Sequence, residues 1–125
     1  MKGVVLALSL ACIANMALAS NWTPIGESKF ERVEVERDSM RRDGSHVQVW
    51  VREIFVSPRN GPAGKPFDTL MYRQSIDCMQ GTTTVSTMTW NLNGNLVESR
   101  NQSDSFDIVP DSVPEFVEHA VCPTK

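Results

Sequence analysis

A single pair of cysteines, Cys78 and Cys122, is the feature of the sequence that most restricts how the chain can fold. The chain has three cysteines, and the third, Cys12, lies inside an N-terminal segment with the layout of a secretory signal peptide. An exported chain that keeps two cysteines admits one intramolecular disulfide. That bond would close a loop of about 45 residues and stabilise the fold by about 4 kcal/mol in the chain-entropy account.

The signal peptide is predicted over residues 1–19. Residues 4–10 form its apolar centre, and the Ala-Leu-Ala sequence at 17–19 is its small-residue cleavage site. Two alternatives stay open. A transmembrane anchor would need about 20 apolar residues, and this run is shorter. A lipoprotein signal would end at Cys12, where Ser9 stands in place of the aliphatic residue expected three positions earlier. We expect export to the periplasm or the outer cell surface, with no integral membrane span after cleavage.

The remaining chain, residues 20–125, is predicted to be one domain. Removal of Lys2 leaves 11 basic residues against 15 acidic ones, a formal charge of −4. We expect no binding to nucleic acid, because nucleic-acid binders carry a basic excess. A domain of this length is also too short for a barrel enzyme or a two-domain nucleotide-binding fold.

Alternation of apolar and polar residues predicts a β-sheet. The predicted strands are residues 30–36, 45–56, 69–78, 82–91 and 95–100. The segments predicted to be irregular are residues 20–28, 38–42, 57–66 and 101–107. Asp43-Gly44 and Asn93-Gly94 are hairpin signals. The alternation of the second strand slips at Arg52-Glu53, which favours a β-bulge there.

The last part of the chain changes to a helical period. Five apolar residues fall on one helix face: Val113, Phe116, Val117, Ala120 and Val121. Ser112 is the predicted N-cap, and Glu115 completes a capping box. Pro123 disfavours helical geometry at Cys122, which is then free to turn toward Cys78. The disulfide would fasten this helix to the sheet, and the fold class is therefore α+β.

The sequence indicates no catalytic centre, metal site or cofactor site. His46 and His119 are the only two histidines, one beside a turn and one on the polar side of the helix. No nucleophile-elbow motif is present, and two cysteines without companion ligands make a poor zinc site. We expect a protein that is not an enzyme.

Six residues are candidates for contact with a protein partner. They are Arg37, Arg41, Arg42, Trp50, Thr87 and Thr89. The three arginines form a basic cluster that could meet an acidic partner, or could pair with neighbouring acidic side chains. The tryptophan would be an interaction anchor if it is exposed. The two threonines are predicted to lie on the sheet face turned away from the helix, where an unpaired edge strand could also pair with a second copy and form a homodimer.

Short motifs occur in a characteristic order along the chain. They are Trp22, residues 25–28 (IGES), 38–44 (DSMRRDG) and 47–51 (VQVWV), Tyr72, Asp77-Cys78, and residues 108–113 (IVPDSV) running into 120–122 (AVC). With these motifs, the chain resembles the surface-adhesin protein E family of small exported bacterial proteins over nearly all of residues 21–122.

The resemblance implies an antiparallel sheet of about five to six strands, with a C-terminal helix tied to the sheet by a disulfide. It also implies a non-enzymatic protein that binds host matrix and serum proteins such as laminin, vitronectin and plasminogen. The alternative is a periplasmic structural or stress-related protein without host contact, and nothing in the sequence separates the two.

Cleavage after Ala19 can be tested by the intact mass of the protein isolated from its native cells. The mass should correspond to a chain that starts at Ser20, because the small-residue motif ends immediately before it. A lipid-modified Cys12, or a mass that includes the first 19 residues, would contradict the prediction.

Overall fold

The structure is a computed structural model that describes residues 20–123, so the predicted signal peptide, residues 1–19, lies outside the described residues. The elements are strands β1 (Trp22–Glu27), β2 (Glu31–Asp43), β3 (His46–Asn60), β4 (Pro66–Asp77), β5 (Thr82–Leu92) and β6 (Asn95–Asp107), then helix α1 (Val113–Val121). The strands form one antiparallel sheet in the order of the sequence. The predicted α+β class is confirmed.

The strands extend further than the sequence pattern predicted. Four segments that were predicted to be irregular belong to strands. Residues 22–27 form β1, residues 38–42 continue β2, residues 57–60 continue β3, and residues 101–107 continue β6. These segments lack regular alternation. Most of their residues pair with a neighbouring strand, a contact that the side-chain pattern does not report. Residues 38–40, 57–58 and 101–102 instead lie at breaks in the register.

Helix α1 has the predicted bounds and packs on one face of the sheet, which we call the helix face. Val117 and Val121 are fully buried against the valines of β2 and β3. Burial of one valine side chain contributes about 1.5–3 kcal/mol. Phe116 was expected to join this contact, but its ring is 51% exposed and lies over Gly26 of β1, because α1 packs toward the β1 edge of the sheet.

The predicted capping box between Ser112 and Glu115 does not form. The Ser112 hydroxyl donates to the carbonyl oxygen of Val109 and makes no side-chain cap to α1. The Glu115 carboxylate accepts instead from the backbone N–H of Asp111, at 3.3 Å. The helix therefore begins where the sequence predicted, with a different capping partner.

Three links hold α1 to the sheet. The predicted disulfide joins Cys122, the C-cap residue, to Cys78 just after β4, with Cα atoms 5.7 Å apart. Arg42 Nη2 donates to the carbonyl oxygen of Val121 at 2.7 Å. At the other end of the helix, the fully buried Gln74 donates to the carbonyl oxygen of Pro114 at 3.5 Å. Within residues 20–123 no helix has the length and apolar character needed to cross a membrane.

We predict that Cys122→Ser lowers the free energy of unfolding by about 2–4 kcal/mol, because the unfolded chain regains the freedom that the closed loop removes. Chemical denaturation monitored by circular dichroism measures this change. The Cys78→Ser/Cys122→Ser double variant is the control that leaves no free thiol, and it should unfold at the same denaturant concentration as the reduced wild-type protein. An unchanged midpoint in Cys122→Ser would contradict the prediction.

Candidate interaction surface

Within residues 20–123 no helix covers the sheet face opposite α1, and we call this face the open face. Strand register assigns side chains to it, because directly paired residues of neighbouring strands share a face. One row of paired residues crosses β1 to β4 and consists of Trp22, Glu36, Trp50 and Arg73. The adjacent row, starting at Val35, lies on the helix face.

Two arginine–tryptophan pairs cross the open face, and we call these four residues the Arg–Trp band. The Arg52 guanidinium lies 4.3 Å from the centre of the Trp22 ring, and the Arg73 guanidinium lies 5.0 Å from the centre of the Trp50 ring. Such contacts are worth about 0.5–2 kcal/mol each. Cationic groups therefore cover part of the aromatic surface of the open face.

A carboxylate is buried beneath this band. Glu34 is only 4% exposed, and its Oε1 accepts from Arg52 Nε at 2.6 Å while its Oε2 lies 3.2 Å from Arg32 Nε. Two arginines thus satisfy one carboxylate. Because a buried charge is costly without partners, this network fixes Arg52 in place beside Trp22.

The six residues that the sequence suggested for contact with a partner lie in different parts of the structure. Arg41 and Trp50 share a small pocket on the open face, and Arg37 is exposed nearby. Arg42 is paired with Val47 on the helix face and donates to the helix C-terminus. Its guanidinium group therefore makes a structural contact with α1.

Thr87 and Thr89 lie on β5, away from the Arg–Trp band. Thr87 occupies a break in the β5 register with a φ of 51°, in the left-handed region. The Thr89 hydroxyl is shielded from solvent and has no hydrogen-bond partner within the described chain. A charged side chain at Thr89 would therefore be partly buried, and would cost stability as well as alter the surface.

The predicted bulge at Arg52-Glu53 is wrong. Pairing between β3 and both neighbours is continuous there, and Glu53 remains on the helix face between the buried residues Val51 and Phe55. The unbroken spacing 51, 53, 55 was the sequence signal for this. It was hidden because a carboxylate occupies a position where an apolar residue is expected.

Glu53 lies among ionisable groups from three strands. Its carboxyl lies close to Tyr72 of β4, Glu31 of β2 and Arg59 of β3. The pKa of Glu53 is raised from 4.5 to about 7, chiefly by burial; the Tyr72 hydroxyl lowers it in part, and the Glu31 carboxylate adds to the rise. The pKa of Tyr72 is raised well above its usual value, chiefly by burial. This cluster retains a proton near neutral pH inside the fold.

Other chemistry is sparse in the part of the chain that the structure describes. No group of three or more His, Cys, Asp or Glu side chains within residues 20–123 is arranged to hold a metal ion. His46 and His119 are both exposed and lie on different elements. The strongest candidate site is accordingly the open face, where arginine and tryptophan side chains meet solvent.

These observations define a small disulfide-linked α+β domain that presents one sheet face to its surroundings. Residues 22–123 match the sequence profile of the surface-adhesin protein E family. The chain belongs to that family, as its motifs suggested. No curated protein matches the sequence significantly.

Solved structures of protein E from Haemophilus influenzae have a similar fold. One structure has a TM-score of 0.56 at 11% sequence identity and covers 82% of this chain and 91% of that chain. A second crystal form has a TM-score of 0.58 at 11% identity, with 83% and 95% covered. A structure from a non-typeable strain has a TM-score of 0.52 at 12% identity, with 79% and 74% covered. At these identities the likeness concerns the fold alone.

We predict that Glu53→Gln flattens the dependence of stability on pH between about 5 and 8. Folded Glu53 keeps its proton up to a pKa of about 7, against an ordinary value of 4.5. The unfolded chain releases that proton earlier, so this group makes the wild type less stable as pH rises from about 4.5 to 7. At pH 8 the variant should be more stable by up to about 3 kcal/mol.

Urea denaturation at several pH values measures this change, with Glu27→Gln as the control because Glu27 is an exposed carboxylate on β1. A Glu53→Gln variant whose stability falls with pH as steeply as that of the wild type would contradict the prediction.

Proposed function

We propose that this protein is an exported, non-enzymatic surface adhesin that binds a protein partner through its open face. Membership of the surface-adhesin protein E family over residues 22–123 is the observation that carries the proposal. The family supports both a protein ligand and a location outside the cytoplasm. The residues of the open face provide a physical basis for binding.

The Arg–Trp band has the composition of a binding anchor. Tryptophan and arginine are the residue types enriched among those that dominate protein–protein binding energies. Trp22 and Trp50 are each only half-buried in the free protein, and their arginine neighbours hold them in place. A side chain that is already ordered loses less entropy when it binds. A standard interface buries roughly 800 Å² on each partner, and one sheet face of this size can supply that area.

The ligands that the family resemblance suggests are the host matrix and serum proteins laminin, vitronectin and plasminogen. A second copy of the chain is a further candidate partner, through the outer edge of β6, which pairs with β5 alone within the described sheet. The alternative function is a structural or stress-related role in the periplasm. Protease treatment of intact cells separates the locations, because a surface protein is degraded and a periplasmic one is protected.

We predict that Trp50→Ala weakens binding to whichever of laminin, vitronectin and plasminogen the wild type binds by at least about tenfold, because an anchor of the interface is removed. Surface plasmon resonance on each immobilised protein measures the effect. Phe116→Ala is the matched control, since it removes an exposed aromatic ring on the helix side. Circular dichroism melting verifies that both variants are folded at the assay temperature.

Equal loss of binding in the two variants, or full binding by Trp50→Ala, would exclude the open face as the binding surface. If the folded wild type binds none of the three proteins and is protected from protease on intact cells, the adhesin proposal is wrong.

A further inference from the structure

The open face contains a pocket of about 120 Å³ beside Trp50, and we call it the bulge pocket. It is lined by Ser39, Arg41, Gln48, Val49, Trp50 and Arg73. We propose that the bulge pocket binds a side-chain carboxylate from an acidic segment of a partner protein, held between the guanidinium groups of Arg41 and Arg73. This inference rests on the proposed function and specifies the chemistry of the partner.

An irregularity in β2 builds the pocket. Pairing with β3 passes from Glu36 opposite Trp50 to Arg41 opposite Gln48, so residues 37–40 occupy the space opposite one residue of β3. The Ser39 hydroxyl closes the gap, since it accepts from the backbone N–H of Trp50 at 3.1 Å and donates to the carbonyl oxygen of Glu36 at 2.7 Å. The bulge thereby places Arg41 at the pocket with its backbone fixed.

The two pocket arginines differ in charge environment from their neighbours. Arg32 and Arg52 share the Glu34 carboxylate, whereas neither Arg41 nor Arg73 forms an ion pair with a residue of the described range 20–123. The carboxylate of Glu36, which is paired with Trp50, accepts hydrogen bonds from the backbone N–H groups of Asn21 and Asp38 and not from either pocket arginine. The pocket therefore has positive charge that the described chain does not neutralise, on a protein whose net charge is negative.

The geometry fits a planar anion. Arginine guanidinium groups pair with carboxylates through two parallel hydrogen bonds. Arg73 is already oriented by its contact with the Trp50 ring, and Gln48 is held by a hydrogen bond from its amide to the Ser75 hydroxyl at 3.3 Å. A volume of about 120 Å³ is below the roughly 300 Å³ at which small-molecule sites begin. The pocket is thus of a size to hold the carboxylate end of one side chain.

The surroundings of the pocket favour an acidic protein segment over a sulfated polysaccharide. A polyanion is bound best by a line of unneutralised cations. Next to the pocket, Arg52 is neutralised by Glu34 on one side, and Ser75 and Thr84 present hydroxyl groups on the other. A single pair of free guanidinium groups matches one or two carboxylates of a peptide.

The test is an NMR titration of the exported protein with octaglutamate, with octaglutamine as the neutral control peptide. The chain has three tryptophans, so the indole N–H signals report separate sites. The Trp50 signal should shift with octaglutamate, and that of Trp90, which is 8% exposed, should remain constant. Arg41→Gln should weaken the affinity by about tenfold, as expected for loss of a charged hydrogen bond.

Arg37→Gln is the matched control, because it removes the same charge from the same segment of β2 without touching the pocket. It should bind octaglutamate within about twofold of the wild type, allowing for a small long-range charge effect. Equal weakening in both variants would show general charge attraction and overturn the proposal. A heparin-derived octasaccharide is the third ligand. If it shifts the Trp50 signal and octaglutamate does not, the proposal is overturned and the pocket binds a sulfated polysaccharide instead.

The two proposals can fail separately. In one outcome, the wild type binds a matrix protein, and this binding is abolished by Trp50→Ala and unaffected by Arg41→Gln. In that case the proposal of a carboxylate-binding pocket is wrong and the adhesin proposal stands. If octaglutamate binding depends on Arg41 while none of the three host proteins is bound, the pocket stands and the host-protein assignment is wrong.

Discussion

The packing of α1 on the valine-rich face of the sheet is the interaction on which the rest of the structure depends. Val117 and Val121 fill that face, while the Cys78–Cys122 bond and the Arg42 hydrogen bond fix the end of the helix. A helix of nine residues can cover only one face of a six-stranded sheet. The opposite face therefore has to be stabilised by its own side chains.

On the open face, two arginines lie over aromatic rings. Four such pairs occur among the described residues: these two, and Arg59 on Phe55 and Arg100 on Trp90, whose rings belong to a second buried apolar cluster with Phe67. One energetically significant contact of this kind is expected per 70–80 residues, so their number indicates a recurrent means of covering exposed rings. The same arrangement leaves ordered aromatic and cationic groups at the surface, which suits a protein that binds other proteins.

The sequence predicted the elements whose side chains alternate or repeat, and missed those that depend on pairing. The helix and the β3 valines were evident because one face is apolar. In β6, the segment 101–107 has Phe106 as its only apolar residue and carries no period, yet β5 pairs with residues 103–107. Trp50 and Arg41 could be named as candidates from sequence, but their meeting depends on the bulge at residues 37–40, and Arg73 reaches them from another strand.

The central claim is that Trp50 lies on an accessible, locally positive surface of a negatively charged protein. Fluorescence quenching of a variant with Trp22→Phe and Trp90→Phe measures this directly, because Trp50 is then the only indole. The ratio of iodide to caesium quenching, at equal ionic strength, should be higher for Trp50 than for the free neutral compound N-acetyltryptophanamide, and Arg41→Gln should reduce the difference. A ratio equal to or below that of the free compound would contradict the account.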